Sequence, residues 1–341
     1  MKKIALSLLL VLLVLVGYYW SLIVYGINQG LGQMNIIWNA RPIEEVLRDP
    51  LFPDSLKSKL HIIDEIKAFA IDSLGLKDSE NYKTVFDQKG EELMWVVTAS
   101  APYQLTPKTW NFPVLGTVPY KGFFSKEKAM DEVSRLQKEG WDVGLRNPGG
   151  WSTLGWFTDP ILSGMLERNE GDLASLIIHE MVHATIFIKD SIDFNENLAT
   201  FIGDSAAYEF IAAKYGKESE EYITYLHEVI DHQKYSNHIL RGSMVLDSLY
   251  NTWKEEDTDQ IKKKKKEMLI KNIVSNMDTL TLHKYKIPTK RFEERLPNND
   301  YFLAYRRYQS KQIDFKFELE GKYNGDLRAM IKDYKKRFPF L

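Results

Sequence analysis

His179-Glu180-Met181-Val182-His183 constrains this chain more than any other stretch. Two imidazoles four residues apart become neighbours on a helix, where positions i and i+4 share a face. On a strand they would be splayed along the chain. The flanks are apolar, so the helix belongs in a core. Placed this way, both imidazoles can converge on one metal ion at about 2.0–2.1 Å. Glu180 projects from the adjacent position and can accept a proton without filling a coordination site. A membrane-buried version of this helix would run from Leu173 to Ile188, between Asp172 and Lys189. That is short against the ~20 residues of a span, and a buried helix of a water-soluble domain is simpler.

A catalytic zinc needs a third protein ligand and an open position. One pattern places Gly three residues after the second His and a further His three beyond it. Those positions are Ile186 and Lys189, which excludes that pattern and an aspartate ligand at Lys189 as well. The remaining pattern takes a glutamate from a second helix, and Glu196 in Asn195-Glu196-Asn197-Leu198-Ala199 suits it. The segment 189–194 would reverse the chain, and small Ala199 would let two antiparallel helices approach closely. Asp190 and Asp193 are candidates to accept an imidazole N–H, or to cap the second helix. The cofactor expected is Zn2+, held by His179, His183 and Glu196, with Glu180 as general base.

Hydrophobic periodicity orders the rest of the chain. Leu56, Leu60, Ile63, Ile66 and Phe69 recur at helical spacing after Pro53. Strands are expected over 93–99, over 112–120 with interruptions at Gly116 and Pro119, and over 141–145 and 152–157, with a helix over 126–138. From Gly171 onward helices dominate, over 172–188, 195–214, 218–250, 253–276, 290–310 and 324–337. The expected fold class is α+β, a small mixed sheet in the N-terminal half followed by a mainly helical half carrying the zinc site. Lys262–Lys266 is a run of lysines beside glutamates, which reads as a solvated face. His227, His232 and His238 fall on a polar helical stretch and read as surface residues.

The N-terminus carries a different signal. Ile4 to Tyr25 is without charge, and as a helix it is long enough to cross ~30 Å of hydrocarbon. Lys2 and Lys3 precede it, and Tyr18, Tyr19, Trp20 and Tyr25 fit an interfacial belt. The expectation is an N-terminal transmembrane helix over 1–25, a connector over 26–53 and a catalytic domain over 54–341. That domain divides into a sheet-containing half, 54–168, and a helical half, 169–341. The positive-inside rule then gives a single-pass membrane protein with its N-terminus cytoplasmic and its catalytic domain extracytoplasmic. A cleaved signal peptide is the competing reading. The net charge of −2 gives no support for a nucleic-acid partner. With no cysteine, disulfides, thiol nucleophiles and cysteine-ligated zinc are excluded.

RPIEEVLRDP, TWNFPVLGTVPYKGFF, STLGWFTDPILS, HEMVH, FNENLATFIG and NNDYFLAYRRY together resemble the bacterial family of predicted aminopeptidases, zinc metallopeptidases of the gluzincin type. The resemblance covers nearly the whole chain after the N-terminal run. It implies a zincin-like fold, a peptide substrate, zinc ligands at His179, His183 and Glu196, and Glu180 as base. It also implies a substrate-binding edge strand, here Thr153, Leu154, Gly155 and Trp156, and a hydrogen-bond donor for the tetrahedral intermediate. Tyr308 in NNDYFLAYRRY is the candidate donor, with Tyr305 next. Many members carry a lipoprotein cysteine and this chain has none. Glu92, Asp159 and Asp204 are conceivable partners for a substrate amino group. An oligo- or endopeptidase, or an envelope factor with a structural zinc, are the alternatives.

Overall fold

The computed structural model describes residues 2–112, 116–148, 158–189, 191–285, 287 and 289–340. Two helices open it, α1 (Lys2–Tyr18) and α2 (Trp20–Asn39), and they divide the charge-free run at Tyr19. No helix among the described residues is long and apolar enough to cross a membrane. The helix α1 has 17 residues. The second half of α2 is rich in Asn and Gln and turns inward, burying Gln33 and Ile36. The Tyr25 hydroxyl donates to the Gly122 carbonyl at 2.9 Å, and its ring stacks on Phe112 at 5.5 Å. The expected transmembrane helix over 1–25 is therefore corrected, and the single-pass, extracytoplasmic placement built on it falls too. A charge-free run measures hydrophobicity; it does not show that the chain bends within it or that its end docks on the domain.

The sheet expectation also needs correction. The structure is mixed but mostly helical, and in place of one small sheet it holds three among the described residues. β1 (Arg41–Pro42), β2 (Thr84–Phe86) and β8 (Ile161–Leu162) form a mixed sheet, with β2 antiparallel to β1 and parallel to β8. β3 (Trp95–Ser100) is flanked antiparallel by β6 (Lys121–Phe123) and β7 (Asp142–Arg146), in the order β6-β3-β7. β4 (Trp110–Phe112) and β5 (Gly116–Val118) pair as a separate ribbon. The candidate strand over 112–120, interrupted at Gly116 and Pro119, corresponds to the end of β4 at Phe112 and to β5 at Gly116–Val118, where Gly116 takes φ +73°, a left-handed conformation that costs glycine little.

Helices follow the apolar spacing more faithfully. After the short α3 (Ile43–Arg48), α4 (Asp54–Asp72) buries Leu60, Ile63, Ile66 and Ala70 completely. α5 (Lys126–Lys138) covers β3 and β7 with Ala129, Val133 and Leu136. Then come α6 (Glu170–His183), α7 (Ile192–Tyr215), α8 (Glu220–Tyr250) and α9 (Asp259–Ser275). The chain closes with α10 (Thr289–Glu294), α11 (Asn299–Gln309), α12 (Gln312–Tyr323) and α13 (Leu327–Arg337). The largest core joins α4, α6, α7 and the terminal helices. A second lies between α8, α9 and α11, and a third between the β6-β3-β7 sheet and α5.

Candidate metal centre

The helix α6 is started and stopped by specific groups. The Asn169 side chain caps it by accepting from the Asp172 amide at 2.8 Å, and Glu170 and Asp172 complement the helix dipole in the first turn. Leu173, Ala174, Ile177 and Ile178 are fully buried, which fixes the rotation of the helix and aims the opposite side of its last turn. The helix ends at His183. Just beyond it, the Thr185 hydroxyl donates to the Met181 carbonyl at 2.7 Å and accepts from the Lys77 amide at 3.0 Å. The helix thus stops short of the expected residue 188.

The chain then reverses. Asn195 clasps the turn, accepting from the Ile188 amide at 3.0 Å and donating to the Ile188 carbonyl at 2.8 Å. The helix α7 returns antiparallel to α6 and very close to it. A Cβ added to Gly203 would lie 2.7 Å from the Ser175 carbonyl oxygen and 3.3 Å from the His179 Cβ. Ala199 is fully buried, but Gly203 is the residue that makes the contact tight. Beside it, the Ser175 hydroxyl donates to Asp204 at 2.7 Å.

This packing brings Glu196, in the second turn of α7, against the two histidines. The His179 and His183 Nε2 atoms are 3.0 Å apart. Glu196 Oε2 is 3.4 Å from the first and 3.5 Å from the second. Donors bound tetrahedrally at about 2.0–2.1 Å would be separated by about 3.3 Å, so the three atoms match the edge lengths of such a site. Two imidazole nitrogens and one carboxylate oxygen are also a donor set that suits zinc. The electrostatics agree. Burial pushes the Glu196 carboxyl up, but hydrogen bonds from both histidines outweigh it and hold the group far below the usual carboxylate range. At Glu180 burial wins over the two imidazoles, and its carboxyl is raised. Burial would lower His183, yet Glu196 outweighs it and raises it.

Around these residues the structure assembles groups that spacing alone could not find. Tyr308, on α11, has its hydroxyl raised by burial and by the Glu196 charge, and accepts from Arg146 Nη2 at 3.3 Å. Tyr120, between β5 and β6, is raised by burial and by the same carboxylate. Asp300 sits against β7 because Gly144 has no side chain; a Cβ there would fall 1.9 Å from Asp300 Oδ2. Its carboxylate accepts from Thr98 Oγ1 at 2.7 Å. On the other side lie buried Asp159, whose charge helps raise Glu180, and buried Tyr82, whose hydroxyl is raised by burial and by both carboxylates. Tyr82 takes φ +65°, an uncommon conformation for a bulky residue. Tyr120 and Asp300 lie in segments that carry the family resemblance; Arg146 and Tyr82 carry no such signal.

Other expected residues fall elsewhere. Tyr305 packs against Tyr301 and Tyr235 in the second core, at ring distances of 5.3 and 5.9 Å. Asp193 pairs with Arg307 at 3.2 Å rather than with an imidazole. Glu92 lines a cleft with Asn147, Leu162 and Arg168. His227 stacks on His283 at 4.2 Å, and His238 meets the Ile273 carbonyl at 2.8 Å. Thr153, Leu154, Gly155, Trp156 and Asp190 lie outside the described residues. No curated protein and no solved structure matches the chain. A family model described as "Putative aminopeptidase" matches residues 24–337, from within α2 to the last residue of α13. With that match spanning the histidine pair, Glu196 and Tyr308, the chain belongs to the "Putative aminopeptidase" family.

Proposed function

We propose that this peptidase-family chain is a zinc-dependent aminopeptidase, with His179, His183 and Glu196 as ligands and Glu180 as general base. The observation that carries the reading is the triangle of donor atoms at 3.0, 3.4 and 3.5 Å, with Glu180 next to it in sequence. Zinc bound there would lower the pKa of a water and polarise the scissile carbonyl. Glu180 does the proton work. Burial raises its carboxyl, which suits a group that takes a proton from the attacking water and returns it to the leaving nitrogen. Tyr308, whose hydroxyl feels the Glu196 charge, is the group from which the developing oxyanion would be hydrogen-bonded. Cleavage at a free N-terminus is the part of the reading that rests on the family.

Two variants and one peptide panel test this. Glu180→Gln should keep one zinc per chain by elemental analysis and lose at least about 1000-fold in kcat, while Glu196→Ala should lose the metal. Peptides with a free N-terminus should be cleaved and N-acetylated ones left intact. Turnover by Glu180→Gln at the parental rate would remove the assignment of the base. Cleavage of blocked peptides would make the protein an endopeptidase instead.

A further inference from the structure

Arg146 ends β7, at the edge of the β6-β3-β7 sheet among the described residues, with its backbone in register with Val96. Its guanidinium lies over the Tyr308 ring, 5.6 Å from the centroid, and Nη2 donates to the Tyr308 hydroxyl. Nε is buried and has no hydrogen-bond partner among the described residues. Among the described residues no carboxylate lies within 4.0 Å of this guanidinium. Asp300 and Glu196 act on it only through space. Both are committed elsewhere, Asp300 to Thr98 and Glu196 to the two imidazoles.

Other cations of the fold are paired with carboxylates. Arg307, buried beside the same site, is paired with Asp193 at 3.2 Å. Arg135 meets Glu132 at 2.9 Å, and Arg306 and Lys266 pair with Asp247 and Asp142. A guanidinium cannot shed its charge, and it withdraws from water at low cost only when an anion faces it. Arg146 therefore combines a permanent charge, spare donors and a place on Tyr308, within the field of Glu196.

We propose that Arg146 is a specificity residue that takes a carboxylate of the substrate close to the scissile bond. The inference rests on the peptidase reading above. The planar guanidinium fits a carboxylate with two parallel N–H···O bonds. Two sources share this chemistry: the C-terminal carboxylate of a di- or tripeptide, and an acidic side chain in a longer one. The C-terminal group makes the protein an enzyme of short peptides. The side chain makes it selective for Asp or Glu near the cut.

The test compares the zinc-loaded parent with Arg146→Gln and Arg146→Lys. Substrates are tripeptides as free acids, the same tripeptides as C-terminal amides, and amides carrying one Glu. The parent should favour carboxylate-bearing peptides over plain amides by roughly 10- to 100-fold in kcat/KM. Arg146→Gln should bring that ratio close to one, and Arg146→Lys should restore part of it, with zinc content unchanged in both. Preference for the free acid identifies the terminal carboxylate, and preference for the Glu amide identifies the side chain; either supports the proposal. A parental ratio near one, or an Arg146→Gln variant that slows acids and amides equally, overturns it. The Glu180→Gln background supplies an independent readout by calorimetry. There the free acid or the Glu amide should bind more tightly than the plain amide, and Arg146→Gln should abolish the difference. If the parent cleaves none of these peptides the peptidase reading fails. Arg146 is then judged by binding alone, and equal affinity for acids and amides overturns its role.

Discussion

Glu196 stands between two asparagines, and each fastens the start of α7 in a different direction. Asn195 holds the turn back to α6. Asn197 is fully buried. It donates to the carbonyls of Asp193 at 2.8 Å and Arg307 at 2.5 Å, and accepts from the Lys311 amide at 2.9 Å. That side chain ties the Glu196 turn to the C-terminal end of α11 on both sides of Tyr308, at Arg307 and at Lys311. Asn197→Ala leaves these backbone groups without their partner inside the protein, so it should cost about 1–3 kcal/mol. A denaturation midpoint should fall with its slope unchanged; a midpoint equal to the parent would mean that other groups replace every lost bond. The metal-ligand candidates themselves were legible in the sequence, since Ile186 and Lys189 removed the competing patterns and left Glu196. The role of Asn197 was not, because its partner lies 110 residues further on. Arg146 was hidden for the same reason. At the end of an expected strand it reads as an ordinary surface cation until the fold sets it on Tyr308, 162 residues away.

Among the elements, α6 and α7 decide the geometry of the centre, and their separation is set at Gly203. Gly203→Ala inserts a methyl group 2.7 Å from a backbone oxygen, which cannot rotate away. The helices must part, at a cost of about 1–3 kcal/mol. Because the same methyl crowds the His179 Cβ, the proposed zinc site should lose affinity along with stability. Thermal denaturation with and without added zinc checks this; a variant that matches the parent in both would show that α7 shifts freely. Helices with a clean apolar stripe, such as α4 and α5, were readable from spacing. The helix α12 was not. Its sequence mixes charges with aromatic residues, and Ile313 and Phe317 are 58% and 73% exposed, so no apolar stripe marks it. The lysine run holds a similar exception. Lys263, Lys264 and Lys265 are exposed as expected on α9, whereas Lys266 is buried and donates to the Pro102 carbonyl at 2.8 Å.

At the scale of the molecule, the candidate centre lies where three cores adjoin. α6 and α7 belong to the first, Phe302 of α11 to the second, and Val143 of β7 to the third. Sequence periodicity identifies the apolar faces but not which cores their helices will join, so this junction could not be read in advance. α8 links the first two cores, with Val229 in one and Tyr235 in the other. Asp231 lies between them, fully buried. Its carboxylate accepts the amides of His283 at 2.8 Å, Lys284 at 2.6 Å and Tyr285 at 2.9 Å, and so pins that segment to α8. Burial pushes the Asp231 carboxyl up, but the three amides outweigh it and leave the group below its ordinary value. With the folded pKa depressed, the unfolded chain takes up the proton first as pH falls. The charge therefore stabilises the fold fully above the ordinary aspartate value of about 3.9, and the benefit is lost as pH drops through the lower folded value. Asp231→Asn keeps an acceptor oxygen but no charge. It should be less stable than the parent by a constant margin from about pH 8 to pH 5, and the margin should shrink below about pH 4. Urea midpoints of both proteins measured across that range check the sign; a margin that stays the same into the acid would show that the charge on Asp231 contributes nothing.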